Sequence, residues 1–163
     1  YHIFQWIHNA AGKNSFLDSI MSFASEWGIY VFIGAIILLL FIPSKQNVGI
    51  YGVISLATGL IINGDQMIID RPRPCVTHEV DILIPKDPSP SFPSDQALIA
   101  GVFLAVFWML KGAFRWLGVA LALVVVLSRV YVGHHYPSDV FVGVILGIVV
   151  FLIVITIKNK WKK

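Results

Sequence analysis

The chain has 163 residues, 57% of them hydrophobic and only 13% charged, and its mean hydropathy of +0.80 excludes an ordinary soluble domain. The length suits one domain over residues 1–163, and the single cysteine, Cys75, excludes an intramolecular disulfide. The net charge of +3 is better explained by membrane anchoring than by nucleic acid, which is not an expected partner.

The first 24 residues are amphipathic. Ile3, Phe4, Trp6 and Ile7 are apolar, and His8, Asn9, Gly12, Lys13 and Asn14 break the run. A helix lying in the membrane interface is expected there, and no secretory leader is evident. Five apolar runs follow, at about 28–42, 48–62, 97–110, 116–132 and 140–157. Several are nearer 15 residues than the roughly 20 that a bilayer asks for, so the helices must extend into their flanks. The expected architecture is all-α: a polytopic membrane bundle of about five transmembrane helices with an N-terminal interfacial helix. Buried core helices of a soluble protein are the alternative, but five such runs in so short a chain disfavour it.

The loops set the orientation. With five spans, the N-terminal segment, the 63–96 loop and the 128–139 loop share one side. The other side holds Lys45, Lys111, Arg115, Lys158, Lys160, Lys162 and Lys163, and its loops carry no Asp or Glu. The positive-inside rule makes that basic side cytoplasmic and turns the 128–139 side outward, away from the cytoplasm.

The long loop contains Asp70-Arg71-Pro72-Arg73-Pro74. Prolines around an arginine stiffen the backbone, so the side chain loses less freedom when it grips an anion. Alone, the cluster would read as an ordinary loop with solvated arginines. His78, Glu79, Asp81, Lys86 and Asp87 follow among prolines 85, 88 and 90, as an irregular lid that selects the leaving group or gates access. His78 reads first as a solvated loop histidine. The loop closes with Ser91-Phe92-Pro93-Ser94-Asp95-Gln96 before an apolar helix. Ser94 is the expected N-cap, and a helix start offers free N–H groups to an anion, although capping alone also accounts for it.

The most informative stretch is Ser128-Arg129-Val130-Tyr131-Val132-Gly133-His134-His135-Tyr136-Pro137-Ser138-Asp139. Arginine holds phosphate oxygens through two donors, and a histidine nitrogen attacks phosphorus when a carboxylate holds its other nitrogen. His135 and Asp139, four apart, would share one face of a helical turn. The histidines and Asp139 lack the spacing of a common zinc motif and the arginines would repel a cation, so neither a metal nor any other cofactor is expected. Three anion-binding elements on one membrane face point to a phosphate site.

These residues resemble the type-2 phosphatidic acid phosphatase (PAP2) superfamily of integral membrane lipid phosphatases, whose motifs read Lys-x6-Arg-Pro, Pro-Ser-Gly-His and Ser-Arg-x5-His-x3-Asp. The third is complete from Ser128 to Asp139, the second is partial at Pro93-Ser94-Asp95-Gln96, and the first keeps Arg73-Pro74 but has Gln66 for its lysine. The wording around Ser94 and His135 is most similar to the bacterial undecaprenyl-diphosphate phosphatase branch linked to bacitracin resistance. The resemblance implies that His135 is the nucleophile, forming a phosphohistidine, and that Asp139 orients its imidazole. It implies that Arg73, Arg129, Ser94 and the N–H groups after it bind phosphate, with Asp95 and Gln66 at the same site. The substrate would be a lipid phosphate or diphosphate, undecaprenyl diphosphate first, in the bacterial plasma membrane. Gln96 stands where the family places a histidine as general acid, and glutamine cannot deliver a proton near pH 7. An engineered form that traps substrate, an enzyme limited to diphosphates and an inactive lipid-phosphate-binding protein all fit Gln96. A broader phosphatase acting on phosphatidic acid or phosphatidylglycerol phosphate is the other enzyme reading.

Overall fold

The computed structural model describes residues 1–64, 69–78 and 80–160, and Gln66 lies outside them. The described elements are all helical: α1 (His2–His8), α2 (Ser15–Leu38, extended by a 3₁₀ turn over Leu39–Phe41), α3 (Gln46–Asn63), the short α4 (Pro74–Thr77), α5 (Asp95–Met109), α6 (Ala113–Tyr131) and α7 (Pro137–Lys160).

The N-terminal segment departs from the sequence expectation at its boundary. Residues 15–24 belong to the first long helix, and the separate amphipathic helix is only α1. The cause is local. Gly12 turns the chain at φ 76°, its N–H donates to Asp18 Oδ1 at 3.1 Å, and Asn14 Oδ1 accepts from Phe16 N and Leu17 N at 3.0 and 3.1 Å. That is a complete N-cap. The hydroxyl that makes this stretch look polar folds back on its own helix, as Ser19 Oγ does to Ser15 O at 2.8 Å. α1 buries Phe4 and His8 and leaves Ile3 and Trp6 outward, the pattern of a helix lying along a membrane.

Five long helices occupy the five apolar runs. Three are long and apolar enough to cross a membrane: α2 with its 3₁₀ extension, α6 and α7, of 27, 19 and 24 residues. α3 has 18 residues with polar ends, and α5 has only 15. Several such helices in one chain are the mark of a multi-pass membrane protein. Exposed Tyr30, Leu123, Phe141 and Leu152 give the outer faces the apolar surface that lipid requires.

α5 is short because it is central. Residues 97–103 are buried on every side against α2, α3, α6 and α7. A helix apolar all round must be enclosed. Phe103 anchors it, stacked on Phe32 of α2 with ring centroids 3.9 Å apart. Against α7 the contact is backbone to backbone. A side chain at Gly101 would strike Val144 O, one at Gly147 would strike Leu98 O, and one at Gly143 would lie 2.7 Å from Ser94 O. Small residues let membrane helices approach this closely. The seam ends at the start of both helices, where Ser94 N donates to Asp139 O at 3.3 Å.

Gly147→Val therefore wedges α5 from α7 and should destabilise the fold by about 1–3 kcal/mol or more. Gly34→Val carries the same change in helix propensity into open space and should cost much less. Thermal unfolding of the two variants in detergent checks the difference.

Candidate active site

α6 delivers Arg129 from its last turn, and α7 starts with Pro137 and places Asp139 in its first turn. Between them the chain reverses at Gly133, whose φ of 87° suits glycine and where a side chain would crowd Ile82 and His8. The reversal lets the N–H groups of His134 and His135 both donate to the carbonyl of Arg129, each at 3.2 Å. The two histidines are thus fixed by the backbone of the arginine that precedes them.

His135 is buried. Its Nδ1 lies 2.8 Å from Ser91 O, and its Nε2 lies 3.0 Å from Arg73 Nη1. A carbonyl only accepts and a guanidinium only donates, so Nδ1 carries the proton and Nε2 keeps its lone pair. That lone pair is the ring's available electron pair. Burial, then the charges of Arg129 and Arg73, push the imidazole well below its usual range, which keeps it neutral near pH 7.

Asp139 does not hold His135 directly. Its Oδ2 is 4.0 Å from His135 Nδ1, and the position on the imidazole expected for the carboxylate belongs to the Ser91 carbonyl. The carboxylate accepts instead from Arg71 Nη1 at 2.6 Å and from Tyr136 N at 2.9 Å. Arg71 also reaches Ser138 Oγ at 2.7 Å and lies over the Tyr136 ring, 4.1 Å from its centroid.

Arg73 crosses the site. Nη1 donates to His134 O and faces His135 Nε2, and Nη2 donates to Ser89 Oγ at 2.9 Å and Pro90 O at 3.2 Å. Arg129 donates through Nη1 to Ser25 O at 3.1 Å and to Ser25 Oγ. Both arginines are buried, and the Nε of each has no partner among the described residues. Buried guanidinium donors without acceptors are what an anion's oxygens would satisfy. Burial also lowers the pKa of Arg73 from its ordinary value. Ser94 caps α5, with Oγ accepting from Ala97 N at 3.4 Å. Asp95 turns to Asn63 of α3, whose Nδ2 donates to Asp95 Oδ1. Gln96 is half-buried and its Oε1 has no partner.

The structure thus gathers Arg73, Ser94, Arg129, His135 and Asp139 at one end of the bundle. Lys45 and Lys111 line a groove at the other. His134 donates through Nε2 to Ile84 O at 2.8 Å, and burial pushes it down to about 4, so near pH 7 it is neutral. His78 packs on Tyr1, with ring centroids 4.0 Å apart. Among the described residues no three His, Cys, Asp or Glu side chains gather to hold a metal. Three contributors escape sequence reasoning. Ser91 acts through a carbonyl, which carries no residue signature. Ser25 is brought to Arg129 by tertiary packing. Arg71 was visible in the Arg-Pro-Arg-Pro run, but nothing there marks it as the partner of Asp139.

Residues 47–163 match the PAP2 superfamily. The chain is 37% identical over 156 residues to undecaprenyl-diphosphatase BcrC of Bacillus subtilis, covering 92% of this chain and 79% of that protein. It is 33% identical over 135 residues to an undecaprenyl-diphosphatase of Sulfolobus acidocaldarius, covering 80% of this chain and 66% of that one. A lipid A 1-phosphatase of Rhizobium etli is 35% identical over 95 residues, covering 55% and 41% of the two chains. The fold superimposes on the crystal structure of Aquifex aeolicus LpxE with a TM-score of 0.77 at 22% identity, covering 95% and 93% of the two chains.

Both histidines stay neutral in the fold, yet protonate near pH 6.5 when unfolded. Their lowered values make stability complete above about pH 6.5 and progressively lost as pH falls toward 4 and below. ¹⁵N NMR of histidine-labelled protein in micelles should show two neutral rings at pH 6, one protonated at Nδ1 (His135) and one at Nε2 (His134).

Proposed function

Because the chain belongs to the PAP2 superfamily of membrane lipid phosphatases, we propose that it removes the terminal phosphate of undecaprenyl diphosphate through a phosphohistidine at His135. One observation carries the mechanism: a neutral imidazole, proton fixed on Nδ1 by Ser91 O, turns its Nε2 lone pair toward a buried guanidinium. Arg73 Nη1 donates to that lone pair at 3.0 Å. An arriving phosphate oxygen replaces Nε2 as its acceptor, which frees the nucleophile and aims the phosphorus at it.

Nε2 attacks the terminal phosphorus, the bond to the bridging oxygen breaks, and its electron pair leaves with the lipid monophosphate. Arg73 and Arg129 hold the charge on the transferred oxygens, with Ser94 and the first N–H groups of α5 beside them. The imidazole gains positive charge in this step. Ser91 O and, at 4.0 Å, the Asp139 carboxylate stabilise that charge, so Asp139 acts through the field rather than through a hydrogen bond. Water then attacks phosphorus, the P–N pair returns to Nε2, and phosphate departs.

The substrate reading rests on the two undecaprenyl-diphosphatase relatives and on Gln96. A lipid monophosphate leaves without a proton, whereas an alkoxide needs one, and glutamine supplies none. The second reading is a broader lipid phosphatase, favoured by the likeness to a lipid A 1-phosphatase. In the cell the protein would sit in the bacterial plasma membrane with the site outward and the C-terminus cytoplasmic. The basic residues Lys45, Lys111, Arg115, Lys158 and Lys160 support that orientation.

Phosphate release from undecaprenyl diphosphate tests the reaction. His135→Ala should abolish it, and activity equal to the parent would exclude the phosphohistidine. On phosphatidic acid Gln96→His should raise turnover by roughly 10²–10⁴, with a smaller gain on the diphosphate. Comparable turnover of parent and variant on phosphatidic acid would mean that the proton comes from another group.

Orientation is read from single cysteines placed at 87 and 159 in intact cells of a Cys75→Ser background. An impermeant maleimide should label the first and spare the second. The reverse pattern would invert the topology.

A further inference from the structure

The loop between Arg73 and Ser94 is tied to the site on both sides of Lys86. Ile84 O accepts from His134 Nε2 at 2.8 Å, and Ser89 Oγ and Pro90 O accept from Arg73 Nη2 at 2.9 and 3.2 Å. Lys86 lies between these ties. Ser89 N donates to Asp87 O at 2.8 Å, which closes a tight turn, and prolines 85, 88 and 90 stiffen the span. A segment pinned two residues before Lys86 and three after it leaves that residue little backbone freedom.

From this geometry we infer that Lys86 is a substrate-binding residue, gripping the second phosphate of a lipid diphosphate, the one that departs with the lipid. The inference rests on the diphosphatase reading above and specifies how that substrate is selected. Arg73, Arg129 and His135 are only 4%, 3% and 5% exposed, so the terminal phosphate seats deep among them. The next phosphate then extends outward, where Lys86, an exposed residue, is the cation carried by the loop. Partial burial lowers the pKa of the Lys86 ammonium, and the charges of Arg73 and Arg129 lower it further against the pull of Asp87 and Asp95. A polyanion with charge on both phosphates relieves the repulsion among these three cations.

The chemistry accounts for two departures from the family pattern. Gln66 removes a lysine from the first motif, and Lys86 restores a positive charge from another part of the same loop. Gln96 removes the general acid. As the bond to the bridging oxygen breaks, its electron pair stays on the leaving monophosphate, and an ammonium there stabilises the charge without giving up its proton. A monophosphate substrate places no phosphate at Lys86 and draws little from it.

The test compares Lys86→Gln and Lys86→Arg with the parent in two measurements. The first is kcat/KM on undecaprenyl diphosphate and on phosphatidic acid. Lys86→Gln should lose about 10–100-fold on the diphosphate, the size of one charged hydrogen bond, with a loss at least about fivefold smaller on the monophosphate. Lys86→Arg should recover most of the difference. The second needs no turnover: calorimetric binding of inorganic pyrophosphate and orthophosphate, where Lys86→Gln should weaken the former more than the latter. Equal losses on both ligands, or none on either, would overturn the role of Lys86. A parent that binds pyrophosphate through Lys86 yet hydrolyses no lipid diphosphate would overturn the function proposed above and leave the binding role standing.

Discussion

Two guanidinium groups kept from water, with no carboxylate bonded to them among the described residues, are the constraint on which this site depends. Arg73 is held by a hydroxyl, two carbonyls and an imidazole, and Arg129 by Ser25. Asp139, whose carboxylate lies 4.0 Å from His135, is bonded by Arg71 instead. Neutral partners fix the arginines without cancelling their charge, and burial keeps that charge from being screened. Burial first, and then the same field, suppress protonation of His135. The charge that suits an anion therefore also helps keep the imidazole neutral. A carboxylate bonded to either arginine would weaken both.

Positioning these charges falls to the bundle. The glycines at 101, 143 and 147 bring α5 and α7 into backbone contact, which sets the cap of one helix beside the first turn of the other. The reversal at Gly133 stacks both histidines on the carbonyl of Arg129. Ser25 reaches across from α2 to hold the arginine's head. Each link is a packing fact, and each fixes a polar group whose displacement would leave buried charge unsatisfied.

What the sequence reveals of this arrangement follows from the range of the interactions. Apolar runs and motif order are local, so the helices and the residues at the site could be read directly. The cap at Ser94 is equally local. The apolar run begins about 28, whereas α2 begins at Ser15, because its first turns mix apolar side chains with Ser15, Asp18 and Ser19, which hide a helix start from an apolar count. The partner of Asp139 could not be read at all. Spacing of four places two residues on one face, but their separation depends on the turn at Gly133 and on Arg71, 68 residues away in the chain. Ser91 contributes a main-chain oxygen, which any residue possesses.

The brevity of α5 has a consequence for how a lipid meets water. Fifteen residues span about 22 Å, against roughly 30 Å of hydrocarbon. If Met109 reaches one interface, Ser94 stops about 8 Å short of the other. The proposed phosphate site, at that end, then lies below the headgroup plane and is floored by the start of α5. A lipid anchored in the leaflet need not be drawn upward to reach it. Water descends to the phosphate, and the walls of the site replace the aqueous surroundings that the headgroup gives up.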